Sequence, residues 1–112
     1  MKPFEIYMWQ PQGWPEPHPS VVVSHPDRAV RKPIVEVVLC ATRRATREAL
    51  SSEVILDEAD GLDWETICHC DLIYAAPRAD LERKGQKGYV TPERQRLLVR
   101  TILAAHAWGA IL

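Results

Sequence analysis

The sequence has no long apolar stretch. Its apolar runs, such as Val21-Val22-Val23 and Val37-Val38-Leu39-Cys40, are short. A membrane-crossing helix needs ~20 such residues in a row, so no membrane partner is expected. The N-terminal Met1-Lys2-Pro3-Phe4-Glu5 lacks the apolar core of a secretory signal, and a cytoplasmic setting is expected. Cysteine is scarce and odd in number: Cys40, Cys68 and Cys70. That argues against a disulfide scaffold. No Cys-x-x-Cys pair is present, nor any internal repeat or low-complexity tract. The formal net charge is only −1, so the molecule as a whole is no polyanion binder.

What is present fits one domain spanning residues 1–112. Hydrophobic residues make up 46% of the chain, the globular norm. A chain of this size can bury roughly 60–70% of its unfolded surface, enough for one core. The charge is unevenly spread. Between positions 28 and 47 stand six basic residues (Arg28, Arg31, Lys32, Arg43, Arg44, Arg47) against one acid, Glu36. Between 57 and 71 stand six acids and no Lys or Arg. A local basic patch suits phosphate contact, and equally a solvated face.

Along the chain, residues 4–9 read as a strand rich in aromatic and β-branched types. Residues 10–19 hold Pro11, Pro15, Pro17 and Pro19, which forbid helix and central strand. This is an extended loop carrying Trp14 and His18. Val21-Val22-Val23 forms a strand, and 27–32 a polar connection. A nearly apolar strand follows at 34–42, then a charged excursion over 43–52 and a short strand at 53–56. Residues 57–61 are an acidic turn closed by Gly61. In a strand over 66–74, alternation puts Ile67, His69, Asp71 and Ile73 on one face. Cys68, Cys70, Leu72 and Tyr74 then share the other. Residues 77–82 read as a turn or helical turn, and 85–90 as a short strand. Thr91 and Pro92 open a final helix, and Gly109 is a plausible stop. Leu98, Ile102 and Ala105 form its apolar stripe, with Arg94, Arg96 and Arg100 left outside. Five or six strands and one helix predict a mainly β, α+β domain, a curled sheet or small barrel.

Several segments in order resemble the MazF/PemK family of toxins, including the Kid-type toxin. They are His18-Pro19-Ser20-Val21-Val22-Val23-Ser24, Val37-Val38-Leu39-Cys40-Ala41-Thr42, Gly61-Leu62, His69-Cys70-Asp71-Leu72-Ile73 and Gly88-Tyr89-Val90-Thr91-Pro92-Glu93. The resemblance spans positions 11–103. It implies an SH3-like small barrel of the MazF/PemK/CcdB type with a C-terminal helix. It also implies a type II toxin–antitoxin toxin: an endoribonuclease, or mRNA interferase, acting on single-stranded RNA. The implied partners are a cognate antitoxin and a second copy of the chain, and no cofactor is implied. This sequence departs from the family at two places. The family's Arg before Pro is His18 here. The Kid-type Arg that stands two residues before Asp is His69.

Metal-free ribonuclease chemistry needs a base for the 2′-OH, an acid for the leaving 5′-oxygen and donors for the phosphate charge. By resemblance Asp71 is the base. His69 or His18 would serve as acid or cation, a role a histidine fills only when protonated. Cleavage is therefore expected to fall above roughly pH 7 unless a nearby carboxylate raises the histidine pKa. His69 and Asp71, two apart on a strand, are about 6.5–7 Å apart at Cα. Thr42 can donate to the phosphate, Trp14 can stack on a base, and Arg43, Arg44 and Arg47 can meet phosphates. Each also has a plain reading. His69–Asp71 can be a structural ion pair, His18 a loop residue, Trp14 a lid on the barrel, Thr42 a strand end and the arginines a solvated loop. Zinc at Cys68-His69-Cys70 is rejected, because the cysteines face away from the histidine. The competing functional reading is a catalytically altered SH3-like barrel that binds nucleic acid or protein, including a CcdB-like gyrase-directed toxin.

Overall fold

The computed structural model describes residues 1–43 and 47–111. Six antiparallel strands form one curled, half-barrel sheet in the order β4-β5-β3-β2-β1-β6. They are β1 (Glu5–Trp9), β2 (His18–Val22), β3 (Ile34–Thr42), β4 (Glu53–Leu56), β5 (Thr66–Pro77) and β6 (Gln86–Tyr89). Three helices accompany them: α1 (Pro26–Arg31), α2 (Arg78–Lys84) and α3 (Pro92–Ala105). The mainly β class with a C-terminal helix matches the sequence reading. None of the helices is long and apolar enough to cross a membrane.

Alternation along the central strands sends apolar side chains to both faces. On one face Val38, Cys40, Ile6, Val21, Cys68 and Leu98 form a buried cluster, with Ile102 of α3 packed against it. On the other, Val35, Val37, Leu39, Tyr7, Trp9 and Leu81 form a second. The second face is roofed by α2, α1 and the proline-rich loop, whose Trp14 packs on it. Leu98 is fully buried. Its truncation to Ala would cost about 2–5 kcal/mol.

Four boundaries differ from the sequence reading. β2 starts at His18 rather than Val21, because Trp9 pairs with His18 and Met8 with Pro19. The 27–32 connection is α1, opened by Pro26 and by the His25 ring, which accepts the Asp27 N–H at 3.2 Å. β5 runs on to Pro77 against Ile34. α3 stops at Ala105, where His106 turns extended; its ring stacks on Trp108.

The acidic turn is where the fold is tied. Asp57 and Asp60 form a capping box, and Gly61 closes the turn at φ +92°. Asp60 accepts the Thr91 N–H at 2.9 Å, a donor at the α3 start that the Thr91 side chain does not serve. Arg94 grips both Asp57 and Asp60. It therefore faces into the molecule, and only half-exposed, rather than outward as the helix stripe suggested. A Cβ at Gly88 would lie 2.1 Å from the Asp60 carbonyl oxygen, so β6 and the turn touch at a position only glycine fits.

Candidate functional site

β5 carries the residues of interest, and its pairing with β3 is interrupted. Cys40 faces Cys68, yet Val38 faces Ile73, so Leu39 alone spans His69, Cys70, Asp71 and Leu72. Cys68, Cys70 and Ile73 all pack with the α3-side cluster. Tyr74 packs with the opposite one. The alternation thus slips between Cys70 and Ile73, and the single face expected for Ile67, His69, Asp71 and Ile73 is broken. The slip leaves Asp71 and Leu72 exposed at the irregularity.

The carboxylate partner of His69 is Glu53, not Asp71. His69 and Glu53 are opposite in register, with Nδ1 3.3 Å from Glu53 Oε2. Arg47 adds a bidentate pair to the same carboxylate at 2.8 and 3.0 Å, and the Leu50 N–H donates to it at 2.9 Å. The Arg47 guanidinium is the main cause holding the Glu53 carboxyl down at about 2. Among the described residues no hydrogen bond or ion pair joins His69 to Asp71. Sequence reading missed Glu53. The available signal was an acid heading an otherwise apolar strand that follows a basic run.

His18 and Thr42 come together. His18 opens β2, with Nδ1 3.2 Å from the Cys40 carbonyl oxygen. Thr42 ends β3, and its hydroxyl accepts the Trp64 indole N–H at 3.0 Å. Both line one pocket of about 200 Å³. Trp14 lies edge-on to His18 and Tyr74, at ring centroid distances of 5.2 and 6.1 Å. It sits as the lid of the second cluster, the plain reading of that residue. Arg43 donates to Glu65 at 2.6 Å and to the Arg47 carbonyl. Both described arginines of the basic excursion therefore already have acceptors. Arg44 lies outside the described residues.

The three cysteines are buried together. Contact with the Cys40 thiol, with burial, pushes the Cys68 thiol well above its ordinary range. Contact with Cys68, then burial, does the same to Cys70. Such thiols are small apolar fillers, not nucleophiles. Among the described residues no group of three or more His, Cys, Asp or Glu side chains is placed to hold a metal.

No family model matches the sequence, and no curated protein matches it. Solved structures do. The Mycobacterium tuberculosis toxin MazF-mt6 superposes with a TM-score of 0.74 at 25% identity, over 90% of this chain and 94% of that one. The fold is MazF-like. An endoribonuclease from a mycobacterial species, in complex with its cognate antitoxin, gives 0.78 at 20% identity over 94% and 93%. The MazE-MazF structure from Deinococcus radiodurans gives 0.70 at 13% over 93% and 92%. On the MazF-like frame, the interrupted β5 carries the exposed Asp71 and half-exposed His69, and the pocket brings His18 and Thr42 together.

Proposed function

We propose that this MazF-like chain is a toxin of a type II toxin–antitoxin pair, an endoribonuclease that cuts single-stranded RNA in the cytoplasm without a metal. The carrying observation is the likeness along nearly the whole chain to a toxin MazF and to a mycobacterial endoribonuclease. One similar structure is an endoribonuclease in complex with its cognate antitoxin, and another is a MazE-MazF structure. A cognate antitoxin is proposed for this chain on that basis, and a homodimer on the family resemblance, as one domain over 1–112.

In this reading Asp71 accepts the proton of the 2′-OH. The 2′-oxygen attacks phosphorus, and the bond from phosphorus to the 5′-oxygen breaks. A protonated His69 or His18 gives its proton to that leaving oxygen. Thr42 donates to a phosphate oxygen as its charge grows. The products are a 2′,3′-cyclic phosphate and a free 5′-OH. Exposure of Asp71 at the break in β5 supports its role, since a base must reach substrate. The Glu53–Arg47 pair supports the role of His69, because it fixes the ring while leaving the side chain 40% exposed. Trp14, half-buried on the second cluster and edge-on to His18, keeps part of its ring available for base stacking.

The test is incubation of the purified protein with mixed-sequence single-stranded RNA in EDTA, followed by analysis of the ends. Site-specific cuts with 2′,3′-cyclic phosphate termini are expected. Binding of RNA without cleavage across pH 5 to 8 would replace the enzyme by a nucleic-acid-binding barrel.

A further inference from the structure

The pocket shared by His18 and Thr42 has a wall that the catalytic reading does not use. Trp64 stands just before β5 and is 57% exposed. It is nevertheless held firmly. Its indole N–H donates to Thr42, and its carbonyl accepts the Thr66 hydroxyl at 3.0 Å. On one side, Asp63 binds Lys87 at 3.0 and 3.1 Å. On the other, Glu65 binds Arg43. An exposed aromatic ring fixed at both flanks is a preorganised surface, which lowers the ordering cost of whatever binds it.

The rest of the pocket says what that is. Met8, Pro17 and Leu62 supply apolar contact beside the indole. Glu16, Asp63, His18 and Lys87 supply polar groups around it. Asp63 is held by Lys87, and the Glu16 carboxylate is a good acceptor for the N–H groups of a planar heterocycle. A space of about 200 Å³ admits one such ring and little more. We propose that this pocket is a nucleobase subsite, with the Trp64 indole as its stacking platform and Glu16 as the acceptor for the base edge. The inference rests on the ribonuclease reading for its location. Thr42, one wall of the pocket, is also the proposed phosphate donor, so the base held here belongs to a nucleotide flanking the scissile bond. Stacking is tolerant of base identity, and the carboxylate edge favours bases that donate.

Wild type, Trp64→Ala and Trp64→Phe are compared in two assays. One maps cut sites on mixed-sequence single-stranded RNA. The other measures binding of mixed-sequence single-stranded DNA of the same length, which lacks the attacking 2′-OH and cannot be cut. Trp64→Ala should weaken binding roughly 10- to 100-fold and flatten base preference at one position beside the cut. Trp64→Phe keeps a stacking face and should stay within about threefold of wild type. Unchanged affinity and cut-site preference in Trp64→Ala would overturn the subsite while leaving the ribonuclease reading intact. Equal losses in both variants would also overturn it, because the lost group would then be the indole N–H on Thr42. A wild type that binds DNA but cuts no RNA defeats the ribonuclease reading, and the binding assay alone then decides the pocket.

Discussion

Two clusters of carboxylate and arginine lie at different places in the molecule and do different work. In the first, Asp57 and Asp60 hold Arg94, and Asp60 also takes the Thr91 N–H. Asp60 is fully buried, and every contact joins one structural segment to another. In the second, Glu53 holds Arg47 and His69. Glu53 is as good as buried there too, with 3% side-chain exposure, but its partners are 46% and 40% exposed. The first cluster contains no histidine, and it ties the acidic turn to the start of α3. The second contains a histidine on a strand whose ladder has just come apart, two residues from an exposed aspartate. Charge pairing alone therefore does not mark a site. Exposure, a histidine partner and an interrupted ladder are what the proposed site adds.

The contrast can be broken at its two ends. Asp71→Ala should lower RNA cleavage by about 10²- to 10⁴-fold, the range for a general base, with the melting temperature unchanged. Steady-state cleavage and thermal unfolding on one preparation check both halves. Asp60→Ala should do the opposite. It strips acceptors from Arg94 and from the α3 start, and should cost about 2–4 kcal/mol of stability in urea unfolding. The rate per folded molecule should stay at wild type.

Smaller effects sharpen the middle ground. Glu53→Gln should cost about 1–3 kcal/mol and also slow cleavage roughly 10-fold, because it frees the His69 ring. Such a mixed result belongs to neither extreme. Acid titration separates the carboxylates further. The Glu53 and Asp57 carboxyls are each held at about 2, chiefly by Arg47 and Arg94. A depressed folded-state value contributes stability that is complete above the unfolded value and is lost as pH falls towards the folded one. Stability followed by circular dichroism should therefore decline as pH drops from about 4.5 to about 2. Glu53→Gln should make that decline shallower.

Local chemistry made much of this molecule legible in its sequence. Aromatic and β-branched types marked β1, and β-branched runs marked β3 and β4. Thr91-Pro92 marked the start of α3. The elements that escaped lack a local signal. α1 is six residues long, too short to show a helical period, and opens on a proline that also suits a turn. The slip in β5 has no glycine or proline at its position and arises from how β3 and β5 each satisfy their own buried faces. Arg94 was placed outside because the stripe was judged on α3 alone, whereas its partners sit more than thirty residues earlier. Glu53 and Trp64 acquire meaning only through residues far away in sequence, His69 and Thr42. Asp71, His69, His18 and Thr42 were found through the family resemblance, but their division between the β5 break and the pocket was visible only in three dimensions.

The most direct measurement sets Asp71→Ala beside Asp60→Ala, with cleavage of single-stranded RNA in EDTA and the free energy of unfolding recorded for both. The account predicts a crossed outcome: the first keeps its stability and loses its cleavage, while the second loses stability and keeps its rate per folded molecule. If Asp71→Ala cleaved like wild type, the break in β5 would not be the catalytic centre, whatever the stability of Asp60→Ala.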